Sequence, residues 1–414
     1  MTKKEYAGYE YVENGVCAAQ GFTANGLNCG INPVKTKNDL GMIFSEKECT
    51  AAAVYTQNKV KGAPILVTKA NLAQSGGKAQ AVIVNSKNAN TCNANGVEVA
   101  NAVCKLTADE LGITADRVIV ASTGVIGAPM SVEPFANAMH ELAEGLSIDG
   151  HDAAAKAIMT TDTVEKEYAL EVELDGKTVT IGGITKGSGM IHPNMATMLV
   201  FLTTDCAISA EMLQKALSCD VSETFNMVSV DGDTSTNDMV TLLANGMAGN
   251  AEITAPGADF DAFMQALNTV TVYLCRRIAG DGEGATKLLE CKVTGAATHE
   301  IAKTVAKSVI CSSLTKAAMF GADANWGRVL CAIGYSGAPV DVNKIDVQFA
   351  SKAGTILVCE NGAGVDFSEE QAKKILLEHE IEILIDLKSG SAASTAWGCD
   401  LTYDYVKING DYRT

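Results

Sequence analysis

The sequence lacks the features of a membrane protein or a nucleic-acid-binding protein. No stretch approaches the ~18–20 uncharged apolar residues that a membrane span needs. The first ten residues lack the apolar core of a signal peptide, so we expect no export. Acidic residues outnumber basic ones: the chain has 49 Asp and Glu and 32 Lys and Arg, which gives a formal net charge of −17. A chain this acidic repels phosphate backbones, and nucleic acid is a poor candidate for a partner.

Patterns typical of disulfide frameworks and metal sites are also missing. The thirteen cysteines are odd in number, and no C-x-x-C pair occurs. The five histidines do not fall at ligand spacing near them. The segment DGDTSTND (231–238) has the composition of a calcium loop, but its glycine is misplaced and its twelfth position is Leu242. We therefore expect buried thiols in a reducing cytoplasm and no metal.

What remains is an ordinary globular composition, with 47% hydrophobic and 20% charged residues over 414 residues. That length suggests two or three domains. AQAVIVN (79–85) and RVIVAS (117–122) are typical of buried strands, and VEVANAVCKLTADELG (97–112) between them has helical spacing. No Pro- or Ser-rich linker divides the chain. The pattern predicts an α/β or α+β protein with several sheets covered by helices.

Further elements follow from the same periodicities. A hairpin is predicted from 168–174 and 177–184, joined by the turn Asp175-Gly176. The other predicted helices are 133–146, 151–160, 211–225, 259–279 and 299–321. The other predicted strands are 198–203, 239–246, 287–295, 344–350, 355–360 and 381–387.

The loop KGSGMIHPNMAT (186–197) precedes an apolar strand and invites a chemical interpretation. Gly187 and Gly189 permit unusual backbone geometry. A threonine hydroxyl is a poor nucleophile unless a base lies beside it. If the Ala196–Thr197 bond were cut, Thr197 would gain an α-amine, which titrates close to neutral pH and can serve as that base.

The segment MIHPNMATML closely resembles the self-cleavage signature of the ornithine acetyltransferase family, also called glutamate N-acetyltransferases. Five more segments are similar to family motifs and stand in the family's order: VNSKNANTCNANG (84–96), ASTGVIG (121–127), FNMVSVDGDTSTND (225–238), GADANWGRVL (321–330) and INGDYRT (408–414). Lys87 departs from the pattern, because a small Gly-like residue is expected there.

The resemblance implies a self-cleaving precursor. The expected products are an α chain (1–196) and a β chain (197–414), with a C-terminal subdomain from about residue 290. The implied fold is of the N-terminal-nucleophile type, with layered α-β-β-α packing. The implied assembly is an α2β2 heterotetramer.

The resemblance also implies a reaction, in which an acetyl group passes from N-acetylornithine to glutamate in arginine biosynthesis. Thr197 would carry the acetyl group, while Thr123 and Gly124 would form the oxyanion hole. The residues implied in substrate binding are Thr160, Lys186, Thr197, Glu283, Asn409 and Thr414. No organic cofactor is implied, and acetyl-CoA stays open as an additional acetyl donor.

Charge supports two of these assignments. A substrate carboxylate in a protein of net charge −17 needs a dedicated cation, which Lys186 can supply. The glycine-rich segment 280–284 carries two carboxylates, so it suits an amine better than a phosphate.

Two alternatives remain open at this point. One is a related self-cleaving aminopeptidase or amidohydrolase, which would pass the acyl group to water. The other is an uncleaved relative that only binds ligands.

Overall fold

The structure is a computed structural model that describes residues 5–6, 8–192 and 198–410. The predicted cleavage bond, Ala196–Thr197, and the predicted binding residue Thr414 lie outside the described residues. Two compact units divide the chain. Unit 1 comprises the described residues within Met1–Gly187, Asn194–Ser222 and Thr234–Leu274, and unit 2 those within Ser188–Pro193, Glu223–Asp233 and Cys275–Thr414.

The secondary structure is mixed, as the sequence predicts. The helices are α1 (Ala63–Gln74), α2 (Gly96–Leu111), α3 (Glu133–Glu144), α4 (His151–Ala157), α5 (Ala210–Glu223), α6 (Ala258–Gly280), α7 (His299–Cys311), α8 (Ser313–Phe320), α9 (Trp326–Gly334), α10 (Glu369–Leu376) and α11 (Tyr403–Gly410). The strands are β1 (Glu5–Tyr6), β2 (Tyr9–Glu10), β3 (Phe22–Leu27), β4 (Leu40–Tyr55), β5 (Lys78–Asn85), β6 (Val118–Ser122), β7 (Lys166–Leu174), β8 (Lys177–Lys186), β9 (Leu199–Thr204), β10 (Val228–Ser229), β11 (Met239–Ala244), β12 (Leu288–Ala296), β13 (Asp346–Ser351), β14 (Gly354–Glu360), β15 (Ala363–Gly364), β16 (Glu380–Asp386) and β17 (Ala392–Cys399).

Unit 1 is built on an eight-stranded sheet in the order β6-β5-β4-β11-β9-β8-β7, with β3 paired to β4. The pairs β5–β6 and β9–β11 are parallel, and the others are antiparallel. Both faces of the sheet are buried at β5 and β6, which explains why these strands contain continuous apolar runs. In β5, Ala81 and Ile83 pack with α2 and α3, while Val82 and Val84 join the core that includes α4.

Unit 2 is built on a seven-stranded sheet in the order β10-β17-β12-β16-β13-β14-β15. Helix α7 packs on β12 and β17, and α10 packs on β13 and β14. The apolar stripe of α7, formed by Val305, Ala306, Val309 and Ile310, is buried. Each unit is thus a sheet covered by helices, and the predicted mixed α/β class is confirmed.

Several predicted boundaries are corrected. The single helix predicted over 299–321 is two helices, because Ser312 leaves helical geometry and caps α8 by accepting a hydrogen bond from the Thr315 N–H at 3.2 Å. The helix predicted over 151–160 ends at Ala157. The long strand β4 is absent from the prediction, because polar residues at 45–48 interrupt its apolar pattern. Its pairing with β5 shifts register between Phe44 and Cys49.

Candidate active site

The loop after β6 presents the predicted oxyanion residues. Strands β5 and β6 are parallel, so both end at the same edge of the sheet, where Asn85 pairs with Ser122. The Thr123 N–H donates to the Asn85 carbonyl at 2.9 Å. Gly124 has φ +131°, and a Cβ there would overlap the main chain of Lys87. The position therefore admits only glycine.

The loop that contains Lys87 faces Gly124, and its conformation explains why a Gly-like residue is expected at position 87. Lys87 has φ +71°, a conformation that favours glycine, which is why a Gly-like residue is expected at that position. Its carbonyl accepts the Val125 N–H at 3.0 Å. The two loops are thereby fixed to each other on both sides of Gly124.

Lys186 reaches the same loop from the last position of β8. The residue is 8% exposed, and its ammonium Nζ lies 3.2 Å from the Thr123 hydroxyl oxygen. Because lysine can only donate, Thr123 is the acceptor in this bond. The hydroxyl proton of Thr123 therefore takes no part in this bond.

A buried ion pair holds the segment that carries Thr160. The Lys166 ammonium lies 2.6 Å from the Asp162 carboxylate, and both side chains are wholly buried. Burial alone would raise the pKa of Asp162, but the positive charges of Lys166 and Lys186 lower that pKa to about 2. Asp162 is therefore ionised at neutral pH, and it also accepts the Thr160 N–H at 3.1 Å.

A second buried acid of unit 1, Asp238, behaves in the opposite way. It ends the DGDTSTND motif immediately before β11 and is 3% exposed. Burial raises its pKa well above the usual range, and the charge of Lys186 opposes this only in part. Within the described part of the chain, its Oδ2 atom has no hydrogen-bond partner. In the sequence, this segment reads as a failed calcium loop and as part of a family motif, and neither interpretation indicated the buried acid.

Unit 2 holds the predicted acidic binding residue in a constrained position. The Glu283 N–H donates to the Ser188 carbonyl at 3.0 Å, and the residue is 7% exposed. The Asn409 amide donates to the Glu283 carboxylate at 2.6 Å. A Cβ at Gly189 would overlap that carboxylate. Close approach of the Glu283 carboxylate therefore explains the glycine at position 189. The residue of this loop with a left-handed main chain is its neighbour Met190, with φ +54°.

Asp231 organises the segment of unit 2 that precedes the predicted cleavage bond. Its carboxylate accepts the N–H groups of Met190 at 2.6 Å and Ile191 at 2.9 Å. It also accepts the Tyr405 hydroxyl at 3.2 Å. Asp231 opens the segment 231–238, but the sequence did not indicate these contacts, because the partners lie far away along the chain.

The predicted site residues therefore fall into two groups. Unit 1 brings together Thr123, Gly124 and Lys186, and Asp162 connects Thr160 to the same network. Unit 2 brings together Glu283 and Asn409. Thr197 and Thr414 are outside the described residues.

Other groups of the described residues add little chemistry. No cluster of three or more His, Cys, Asp or Glu side chains there could hold a metal ion. Eight of the thirteen cysteines are buried free thiols, as expected, whereas Cys92, Cys219 and Cys331 are exposed. No helix among the described residues is long and apolar enough to cross a membrane.

These features define a mixed α/β protein with a glycine-only turn and a buried lysine beside it. The sequence profile of the ArgJ family matches residues 23–414. An arginine biosynthesis bifunctional protein ArgJ from Caldanaerobacter subterraneus subsp. tengcongensis is 47% identical over 98% of this chain and 100% of its own length. A second, ArgJ 1 from Clostridium acetobutylicum, is 49% identical over 95% of this chain and 96% of its own.

A solved structure agrees with this match. The crystal structure of arginine biosynthesis bifunctional protein argJ from Bacillus halodurans is 48% identical, with a TM-score of 0.50, over 52% of this chain and 99% of that chain. The protein belongs to the ArgJ family. The family resemblance is thereby confirmed, and with it the prediction of an acyltransferase of arginine biosynthesis.

Proposed function

We propose that this acyltransferase moves the acetyl group of N-acetylornithine to glutamate through an acetylated Thr197. The observation that carries the proposal is the contact of the Lys186 ammonium with the Thr123 hydroxyl, 3.2 Å, beside the glycine-only turn at Gly124. In this proposal the Thr123 hydroxyl and the Gly124 N–H are the two oxyanion donors, and Lys186 is the cation for a substrate carboxylate.

The proposed nucleophile requires a cut between Ala196 and Thr197. The matched chain of the Bacillus halodurans structure supports a cut of this kind, since it is matched over 99% of its length yet spans only 52% of this chain. The proposed β chain, 197–414, has 218 residues, which is 53% of the sequence. We further propose the N-terminal-nucleophile type of fold with α-β-β-α layering.

The acyl transfer then proceeds in two balanced steps. The Thr197 hydroxyl oxygen attacks the acetyl carbon while its α-amine takes the proton, and the oxyanion is held by Thr123 and Gly124. The carbon–nitrogen bond breaks, and ornithine leaves with that proton. The glutamate amine next attacks the acetyl ester, the threonine oxygen recovers a proton, and N-acetylglutamate leaves. No metal or organic cofactor is needed in either step, and acetyl-CoA is a possible second donor.

The two substrates have opposite side-chain charges, which the pair in unit 2 can accommodate. Glu283 is an acceptor for the ornithine ammonium, and the Asn409 amide is a donor for the glutamate side-chain carboxylate. Asn409→Ala should therefore raise the KM for glutamate, by about tenfold for one lost bond to a charged group. The C-terminal residue Thr414 is proposed as a further binding residue.

One assay separates this function from hydrolysis. The protein is incubated with N-acetylornithine, with and without glutamate, and released ornithine and N-acetylglutamate are measured. Acetyl transfer predicts that glutamate accelerates ornithine release and appears as N-acetylglutamate. Ornithine release that glutamate does not affect would favour the aminopeptidase or amidohydrolase alternative and overturn the proposal.

The proposed setting is a cytoplasmic α2β2 heterotetramer. Native mass spectrometry tests the assembly, which should contain two copies of each fragment. A species with a single uncut chain would contradict both the cut and the tetramer.

A further inference from the structure

One buried carboxylate of unit 1 connects segments that the proposed function assigns separately to substrate binding. Asp162 Oδ1 accepts the Lys166 ammonium at 2.6 Å and the Gly187 N–H at 2.8 Å. Asp162 Oδ2 accepts the Thr160 N–H at 3.1 Å. Two oxygens thus receive three donors, and the side chain is wholly buried.

The two main-chain N–H groups that donate to Asp162 belong to, or adjoin, proposed binding residues. The Gly187 N–H belongs to the peptide that follows Lys186, and the Thr160 N–H belongs to the proposed binding threonine itself. Asp162 lies two residues after Thr160 and 25 residues before Gly187, so the two segments meet at one carboxylate. Lys166 supplies the counter-charge that keeps this carboxylate ionised in a buried position.

We propose that Asp162 is a positioning residue for substrate binding, which sets the distance between Thr160 and Lys186 so that both engage the α-carboxylate end of the substrate. This inference rests on the proposed function. A displacement of about 1 Å in a binding group is enough to lose most of its effect, so the connection needs a rigid support.

Aspartate is required because of its acceptor count. A carboxylate offers two acceptor oxygens, whereas an asparagine amide offers one oxygen and two N–H donors. Asparagine would place an N–H against either the Thr160 or the Gly187 N–H. Asp162→Asn also leaves Lys166 buried without its counter-charge, so that variant alone can fail to fold.

The test therefore uses the neutral double variant D162N/K166M in the full chain. Its matched control is D152N/K156M, which makes the same changes in an exposed i,i+4 pair with an N–O distance of 2.6 Å. Titration calorimetry measures the Kd of ornithine and of putrescine, which carries the same side-chain ammonium and no carboxylate. Binding requires no acetyl transfer, so this readout is independent of turnover.

We expect the wild type and the control to bind ornithine at least about tenfold more tightly than putrescine. In D162N/K166M the Kd of ornithine should rise about tenfold, while that of putrescine stays within about twofold. Equal losses for both ligands would identify a merely structural role, and an unchanged Kd of ornithine would also overturn the inference.

A second variant covers the case in which the double variant does not fold. D162E keeps the charge beside Lys166 but is one methylene longer, so it cannot keep both N–H contacts. The same selective loss of ornithine binding is expected, and wild-type selectivity in D162E would overturn the inference. A wild type without any preference for ornithine would overturn the assignment of Lys186 as well. A wild type that binds selectively but transfers no acetyl would contradict only the proposed function.

Discussion

The substitution Gly189→Ala tests the proposed ammonium site without touching a charged residue. A Cβ at position 189 would overlap the Cδ, Oε1 and Oε2 atoms of Glu283. The main chain of Glu283 is held by Ser188, so the carboxylate is the part that must move. Its contact with Asn409 at 2.6 Å would then be lost or lengthened.

The structure separates the cost to folding from the cost to function. The new methyl group meets the end of a flexible side chain, so the free energy of unfolding should fall by no more than about 1–3 kcal/mol. A displaced carboxylate forfeits a hydrogen bond to a charged group, about 1.5–3 kcal/mol. That loss corresponds to a fall of about 10- to 150-fold in kcat/KM for N-acetylornithine.

Initial-rate kinetics with N-acetylornithine and glutamate checks this expectation. The KM for glutamate should change less, because glutamate has no side-chain ammonium. Gly257→Ala is the matched control, since a Cβ there has nothing within 4 Å and should leave kcat/KM unchanged. A folded Gly189→Ala variant with wild-type kcat/KM would refute the role of Glu283 in binding the ornithine side chain.

Three further substitutions probe the rest of the site. Gly124→Ala combines φ +131° with overlap on the Lys87 main chain, so thermal unfolding should report a loss of at least about 2 kcal/mol. Asp238→Asn should raise the urea midpoint relative to wild type increasingly as pH rises above ~4, because a folded carboxyl with a raised pKa loses stability as pH rises. Asp231→Asn should slow self-cleavage on a denaturing gel, while Asp233→Asn should not, since Asp231 is the residue whose carboxylate accepts two N–H groups of the preceding segment.

The lowered pKa of Asp162 makes the stability of the protein depend on pH. Its pKa is lowered to about 2 in the folded protein, so its ionised form stabilises the fold above the unfolded value near ~3.9. This contribution is about 2–3 kcal/mol and is lost as pH falls from about 4 towards 2. Acid denaturation of D162N/K166M should lack this part of the transition.

Local patterns predicted the elements that carry the site, because those elements are either apolar runs or strands joined by a recognisable turn. Strands β5 and β6 read as AVIV and VIVA in the sequence, and Asp175-Gly176 marks the β7–β8 hairpin that ends at Lys186. Strand β4 escaped prediction, because a polar interruption and a register shift break its pattern. The hydrogen bonds that Asp162 and Asp231 accept were not predicted either, for a different reason. Asp162 and Asp231 act on backbone groups 25 and about 40 residues away, and no local periodicity encodes such contacts.

The family motifs indicated what local patterns could not, namely which distant residues act together in the proposed reaction. Thr123 and Lys186 are 63 residues apart, yet their side chains meet at 3.2 Å. The positive charge of Lys186 lies near two buried acids of unit 1, Asp162 and Asp238, and lowers the pKa of each.

The most direct test of the central claim is intact-mass spectrometry of the denatured protein before and after incubation with N-acetylornithine. The account predicts fragments of 196 and 218 residues, and after incubation one additional acetyl group on the 218-residue fragment, which glutamate then removes. Thr197→Ala should stay as one chain of 43.2 kDa and gain no acetyl group. A wild-type protein that transfers acetyl groups while remaining one uncut chain, or that carries the acetyl group on the other fragment, would contradict the account.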